Sequence, residues 1–191
     1  MRVSREEAAA TRERIVDVAS RLFREKGFDG IGVADLMKDA GMTHGGFYGH
    51  FKSKDHLAEE ASSRAIERSC KRWTGIAEDA GDGAFLALVK NYLSEERLSS
   101  PGSGCLFAAL GSDASRQSKP VRRVFAHGFE KLVAILSNAV RAKSKAEKRR
   151  QAIAAFAQMA GAMVLARAVG DGALAAEILS ASASDLVSRH S

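Results

Sequence analysis

Apolar residues recur along this chain at three- and four-residue intervals, and the alternation of a strand is nowhere sustained, so the pattern predicts an all-α protein. Ser4 and Glu7 have the spacing of a capping box, and behind them Ile15, Val18, Ala19, Leu22 and Phe23 form one stripe that ends at Gly27. Val33, Leu36, Met37 and Ala40 mark a short second helix closed by Gly41, and Thr43 caps a third that carries Phe47, Tyr48 and Phe51. Ser53 caps a long fourth helix, free of breakers before Gly75, whose Leu57, Ala61, Ile66, Cys70 and Trp73 share a buried side. The sequence "DGAFLALVKNYLSEERL" gives a fifth helix and "GCLFAAL" a short sixth. A seventh covers 121–140 behind Ser118, an eighth runs from the capping box of Ser144 and Glu147 to about Val169, and Asp171 opens a ninth.

The second and third helices, joined at "AGMT" with another packed across them, fit a helix-turn-helix, in which the second helix of the pair can enter a major groove. The chain therefore divides into an N-terminal three-helix unit, 1–53, and a helical remainder, 54–191, of about nine helices in all. Small residues dominate "QAIAAFAQMAGAMVLARAV" and "GALAAEILSASASDLV" in that remainder, so the last two helices can approach closely. They are either a buried core pair or a dimer interface, with Phe156, Met163, Leu174 and Ile178 supplying apolar area.

Composition narrows the function only a little. No apolar run approaches the ~20 residues that cross a bilayer, and the charged N-terminus has no signal-peptide core, so a cytoplasmic protein without a membrane partner is expected. Cys70 and Cys105 form neither a CxxC pair nor a cysteine-histidine cluster, which suggests no disulfide framework, metal or other cofactor. A net charge of +6 suits a polyanionic partner, yet residues 1–57 hold ten Lys/Arg against nine Asp/Glu. Charge alone therefore does not mark a DNA face. An enzyme is disfavoured, because "GIG" and the two "GDG" sites lack phosphate-loop context and neither GxSxG nor HExxH occurs.

Residues 11–61, "TRERIVDVASRLFREKGFDGIGVADLMKDAGMTHGGFYGHFKSKDHLAEEA", resemble the DNA-binding region of TetR-family (TetR/AcrR type) bacterial transcription regulators. The order Gly, Thr, Gly, Tyr, His, Phe, Lys-Ser-Lys and Leu over 41–57 follows the family pattern position by position. The resemblance implies a homodimeric regulator, a ligand-responsive repressor that reads a palindromic double-stranded operator through 43–51. It implies that Tyr48 and His50 meet the DNA backbone, and that His44, Gly45 and Gly46 stand where base contacts are often made.

The residues themselves are compatible with those roles. Thr43 offers a hydroxyl and free backbone N–H groups to a phosphate, while a plain cap explains it equally well. Lys54 opens the fourth helix, where the helix dipole disfavours a cation, so a phosphate explains it better than local stability does. Three glycines in so short a helix allow two readings: close approach of the backbone to the groove, or a helix that orders only on DNA. Gly32 stands where the family usually has a hydroxyl residue, and Arg2 and Arg5 are candidates for a compensating arm.

For the effector, Trp73, Phe85, Tyr92, Phe107, Phe125, His127 and Met159 are candidate pocket walls, each also explicable as core. Cys105 begins "GCLFAAL", where a helix N-terminus would raise its reactivity, so a redox-responsive regulator is an alternative. A non-DNA helical dimerisation protein is another, but it leaves Tyr48, His50 and Lys54 unexplained.

Overall fold

The structure, a computed structural model, describes residues 5–190, and every regular element among them is a helix. In chain order these are α1 (Arg5–Lys26), α2 (Val33–Asp39), a 3-10 helix (His44–Gly49), α3 (Lys54–Ala80), α4 (Ala84–Tyr92), α5 (Glu95–Ser99), α6 (Leu106–Ala114), α7 (Lys119–Ala139), α8 (Lys145–Val169) and α9 (Gly172–His190). Short 3-10 turns at Gly81–Gly83 and Pro101–Ser103 fill two of the connections. The expected Ser4 cap and Arg2 lie outside the described residues, and Arg5 is the first residue of α1 rather than part of a free arm.

Most breaks fall where the sequence places them, but three differ for local reasons. The third helix is 3-10 instead of α, as suits six residues of which three are glycine. The fifth predicted helix is two, because the Ser94 hydroxyl donates to the Asn91 carbonyl at 3.1 Å and accepts from the Arg97 N–H at 3.3 Å, restarting the chain as α5. The fourth runs through Gly75 to Ala80, where Gly81 at φ 52° ends it.

Two apolar cores stack along α3. The first joins Ile15, Leu22 and Phe23 of α1, Leu36 of α2, Phe47 and Phe51, and Leu57 to Ile66 of α3, and it continues into α6 and the start of α7. The second packs Trp73 against Leu88 and Tyr92 of α4, Leu132 to Leu136 of α7, Phe156 to Ala166 of α8 and Leu179 of α9. Cys70 and Phe107 touch both. A rigid α3 thus connects the helix-turn-helix end to the C-terminal bundle.

The crossing of α3 and α7 depends on Gly128. A Cβ there would lie 2.2 Å from Ile66 Cδ1, 2.8 Å from Cγ1 and 3.1 Å from Cγ2. Gly128→Ala is expected to cost about 1–3 kcal/mol in urea unfolding through overpacking, and an Ile66→Ala background should absorb most of that cost. Fully additive losses would show that the helices do not meet at this point.

By length and composition, α8 is apolar enough to cross a membrane, although its apolar residues form no unbroken run. It packs instead between α7 and α9, with Ala152, Ala155, Phe156, Met159, Ala162, Met163 and Ala166 buried. The rest of its apolar surface is a separate stripe, described below.

Candidate nucleic-acid interface

The turn between α2 and the 3-10 helix is built by Gly41. Its φ of 72° lets the Gly41 N–H reach the Lys38 carbonyl at 2.9 Å and the Met42 N–H reach the Met37 carbonyl at 2.8 Å, closing α2 in a Schellman turn. At the other end of α2, Gly32 is the cap residue and supplies no side-chain bond. Thr43 occupies the cap position of the 3-10 helix, yet its hydroxyl makes no capping bond, so the plain-cap explanation loses its support. Ser53 does cap α3, accepting from the His56 N–H at 3.1 Å.

Phe47 and Phe51 are fully buried in the first core, with ring centroids 5.6 Å apart, and they anchor the 3-10 helix. The candidate contact residues lie on the other side of that anchor. Thr43, His44, Gly45 and Tyr48 are exposed, Tyr48 to 71%, while Gly46, His50 and Lys54 are partly exposed. Tyr48 rests edge-on against Phe47 at 5.2 Å, which fixes its direction while leaving its hydroxyl in solvent. A Cβ at Gly45 or Gly49 would meet nothing within 4 Å, and one at Gly46 only ordinary contacts beginning at 3.7 Å. None of the three has positive φ. Neither packing nor backbone conformation within the chain asks for glycine there.

Ion pairs lock this unit onto α3. Arg12 forks onto Glu60 while its guanidinium lies 4.7 Å above the Phe51 ring, and His56 reaches Glu60 at 3.0 Å. Arg64 bonds Glu13 and Asp17, and Arg68 reaches Asp17 at 2.8 Å. Hydrogen bonds to Glu60 and to Glu13 hold Arg12 and Arg64 above the usual arginine pKa, so both remain charged. Movement of α3 therefore carries α1 with it.

Residues 15–61 match the family of bacterial regulatory proteins described as the tetR family. This N-terminal region is of the TetR family. The chain is 28% identical over 134 residues to the HTH-type transcriptional repressor NemR of Escherichia coli K12, covering 68% of this chain and 67% of that protein. It is 42% identical over 59 residues to the regulator AcrR of Shigella flexneri, covering 31% of this chain and 27% of that one. Among solved structures, reduced E. coli NemR superposes with a TM-score of 0.78 at 24% identity over 93% of this chain and 95% of that one. A TetR regulator from Chloroflexus aurantiacus gives 0.76 at 26% identity over 96% and 95%.

In the C-terminal half the structure gives the expected pocket and interface residues several different surroundings. Of the seven candidate pocket residues only Trp73 and Tyr92 border a closed cavity. Phe107 and Phe125 line an open groove between α6 and α7, Phe85 packs on His190 near the surface, Met159 is fully buried core, and His127 is exposed. Spacing could not separate these outcomes, because every helix here has one inward and one outward face.

Two candidate interface residues lie inside the chain. Phe156 and Met163 pack in the second core at 1% exposure each. The outward face of α8 carries Ala154, Ala157, Gly161, Val164, Leu165 and Ala168, continued on α9 by Leu174 and the half-buried Ile178. Leu165 is 57% exposed, Val164 45% and Leu174 44%.

The sequence also misses the surroundings of Cys105. It has no basic neighbour in the chain, yet it borders the same cavity as Arg72 of α3, Arg97 of α5 and Arg167 of α8. Arginines so far apart in sequence, 72, 97 and 167, leave no local signal.

Proposed function

We infer that the protein is a homodimeric DNA-binding transcriptional regulator, a ligand-responsive repressor that reads a palindromic operator through residues 43–51. The carrying observation is the exposed face of the 3-10 helix: an exposed tyrosine and two flanking basic residues on an anchored backbone, with glycines the fold does not require. Thr43, Tyr48, His50 and Lys54 hold phosphates, and His44 reads a base edge where Gly45 and Gly46 bring the backbone close. The reading unit is 1–53, and 54–191 forms the regulatory and dimerisation part. Two copies pair across the outward stripe of α8 and α9, which places the two heads on related half-sites of a cytoplasmic DNA target. The reading assigns no catalysis.

The direct test is selection of bound duplexes from a random pool at two salt concentrations. A palindrome supports the reading, and binding without a motif that vanishes with salt refutes it. Lys54→Ala should weaken all sequences alike and lower the salt slope by about one per subunit, whereas His44→Ala should change which sequence is preferred. Gly32→Ser should tighten operator binding several-fold by restoring a hydroxyl at the α2 cap, where the added Cβ has room, with Asp35 Oδ2 3.9 Å away. Unchanged affinity in a gel-shift titration would remove Gly32 from the interface.

A redox-responsive regulator is the second reading, favoured by Cys105 bordering the arginine-lined cavity. Cys105→Ser should then keep its operator through oxidant treatment that releases the unaltered protein.

A further inference from the structure

The cavity enclosed by α3, α4, α5 and α8 collects positive charge without an acid to meet it. Arg72, Trp73, Tyr92, Arg97, Cys105 and Arg167 border it, in an envelope of about 350 Å³ whose free interior holds roughly one water. Arg72 Nε, Arg97 Nε, Arg167 Nη1 and the Tyr92 hydroxyl are buried and have no hydrogen-bond partner. No carboxylate lines the cavity, and Arg97 reaches only the exposed Glu96 at 3.9 Å. Tyr92 is 5% exposed, and the group its hydroxyl faces is the Cys105 thiol, a weak acceptor. Burial holds Tyr92 well above the usual tyrosine pKa, so it stays a donor, and burial lowers Arg72 and Arg167.

An N–H or O–H shut off from water costs free energy until it finds an acceptor. Four such donors belong to residues that border one cavity, and a small anion there would satisfy them together. A carboxylate of the smallest size fits best, since its planar pair of oxygens matches guanidinium forks and the tyrosine O–H.

One of these arginines, Arg167, also holds the segment that leads to the DNA-binding end. Arg167 Nη2 donates to the Arg97 carbonyl at 2.7 Å and its Nε to the Leu98 carbonyl at 3.4 Å. On the opposite side Arg24 of α1 donates to the Gly104 carbonyl at 2.9 Å. Segment 97–104 is thus strapped between α8 and α1. It fits closely, since a Cβ on Gly104 would stand 2.9 Å from Arg167 Nη2 and one on Gly102 2.2 Å from Glu25 Oε1. Arg72 also lines the open cleft beside Arg24 and Arg68, which gives an anion an approach route.

We propose that this cavity is the receptor site for a small carboxylate effector, held by Arg72, Arg97, Arg167 and the Tyr92 hydroxyl. Its arrival draws Arg167 from the carbonyls of segment 97–104 and so loosens the strap that positions α1. The site rests on the ligand-responsive reading given above, but its two halves separate in the test.

Calorimetry on the full-length protein, without DNA, would titrate formate and acetate against their neutral amides and inorganic phosphate. The expected result is binding of a carboxylate and not of its amide, weakened at least tenfold by Arg72→Gln and by Tyr92→Phe. Both variants should melt no lower than the unaltered protein, because each removes an unpartnered buried group. Carboxylate binding retained in Cys105→Ser supports a reversible ligand site independent of thiol chemistry. Binding of neither carboxylate, of phosphate alone, or of acid and amide equally overturns the site, whatever the duplex selection returns. A carboxylate that binds but leaves a selected operator duplex in place overturns the strap mechanism and leaves the anion site standing. Failure of the duplex selection itself overturns the regulator reading and says nothing against calorimetric binding.

Discussion

Leu165→Arg is expected to turn the dimer into monomers that no longer hold a palindromic operator. In the single chain Leu165 is 57% exposed, beside Val164 at 45%, so the substitution touches no intrachain core and should leave helicity and the melting profile of the monomer intact. Its neighbours along α8 are Ala154, Ala157, Gly161 and Ala168, all exposed. Gly161 sits mid-helix with nothing within 4 Å of an added Cβ, although glycine costs a helix interior about 1 kcal/mol relative to alanine. A second helix lying close across that stripe gives the glycine a purpose. Interfaces of this symmetry repeat each substitution, so two guanidinium groups would enter an apolar contact, each costing several kcal/mol. Sedimentation equilibrium should read half the mass at concentrations where the unaltered protein is dimeric. Operator affinity should fall by roughly a hundredfold or more as the second half-site is lost. An unchanged mass would move the interface to another face.

The same stripe shows how far a helical sequence can be read. Spacing places α8 and α9 and identifies their small residues, but two apolar faces on one helix share a period, so Phe156 and Met163 are indistinguishable in sequence from Val164 and Leu165. Burial is decided by which face α7 and Trp73 already occupy, a long-range outcome. The helix-turn-helix was legible for the opposite reason: Gly41 and Ser53 act within a few residues of themselves, and their turn and cap mark its boundaries. Local chemistry also misled where it was too evenly balanced. Ser94 splits a helix that its apolar spacing carries straight through, and three glycines turn an α-helix into a 3-10 one. The arginine cavity could not be found at all from order alone, since Arg72, Arg97 and Arg167 meet only through tertiary packing.

Joint replacement of Gly45 and Gly49 by alanine is expected to stabilise the protein and to weaken operator binding. Both positions have room for a methyl group and ordinary backbone angles. Each alanine should therefore add about 0.4–1 kcal/mol, chiefly by restricting the unfolded chain, and thermal unfolding should shift upward accordingly. At the operator the same methyl groups would stand between the backbone and the groove floor. Thr43 and His44, exposed beside Gly45, would be held back from phosphate and base. A good base contact contributes about 1–3 kcal/mol, and a dimer loses it twice, so affinity should drop by on the order of a hundredfold or more. The sign of the DNA effect separates the two explanations of the glycines. If they serve a helix that orders only on DNA, stiffening it with alanine removes part of the ordering cost and affinity rises together with stability. If they serve close approach, stability and affinity move in opposite directions, which is the outcome favoured by a helix already anchored through Phe47 and Phe51 before any DNA arrives.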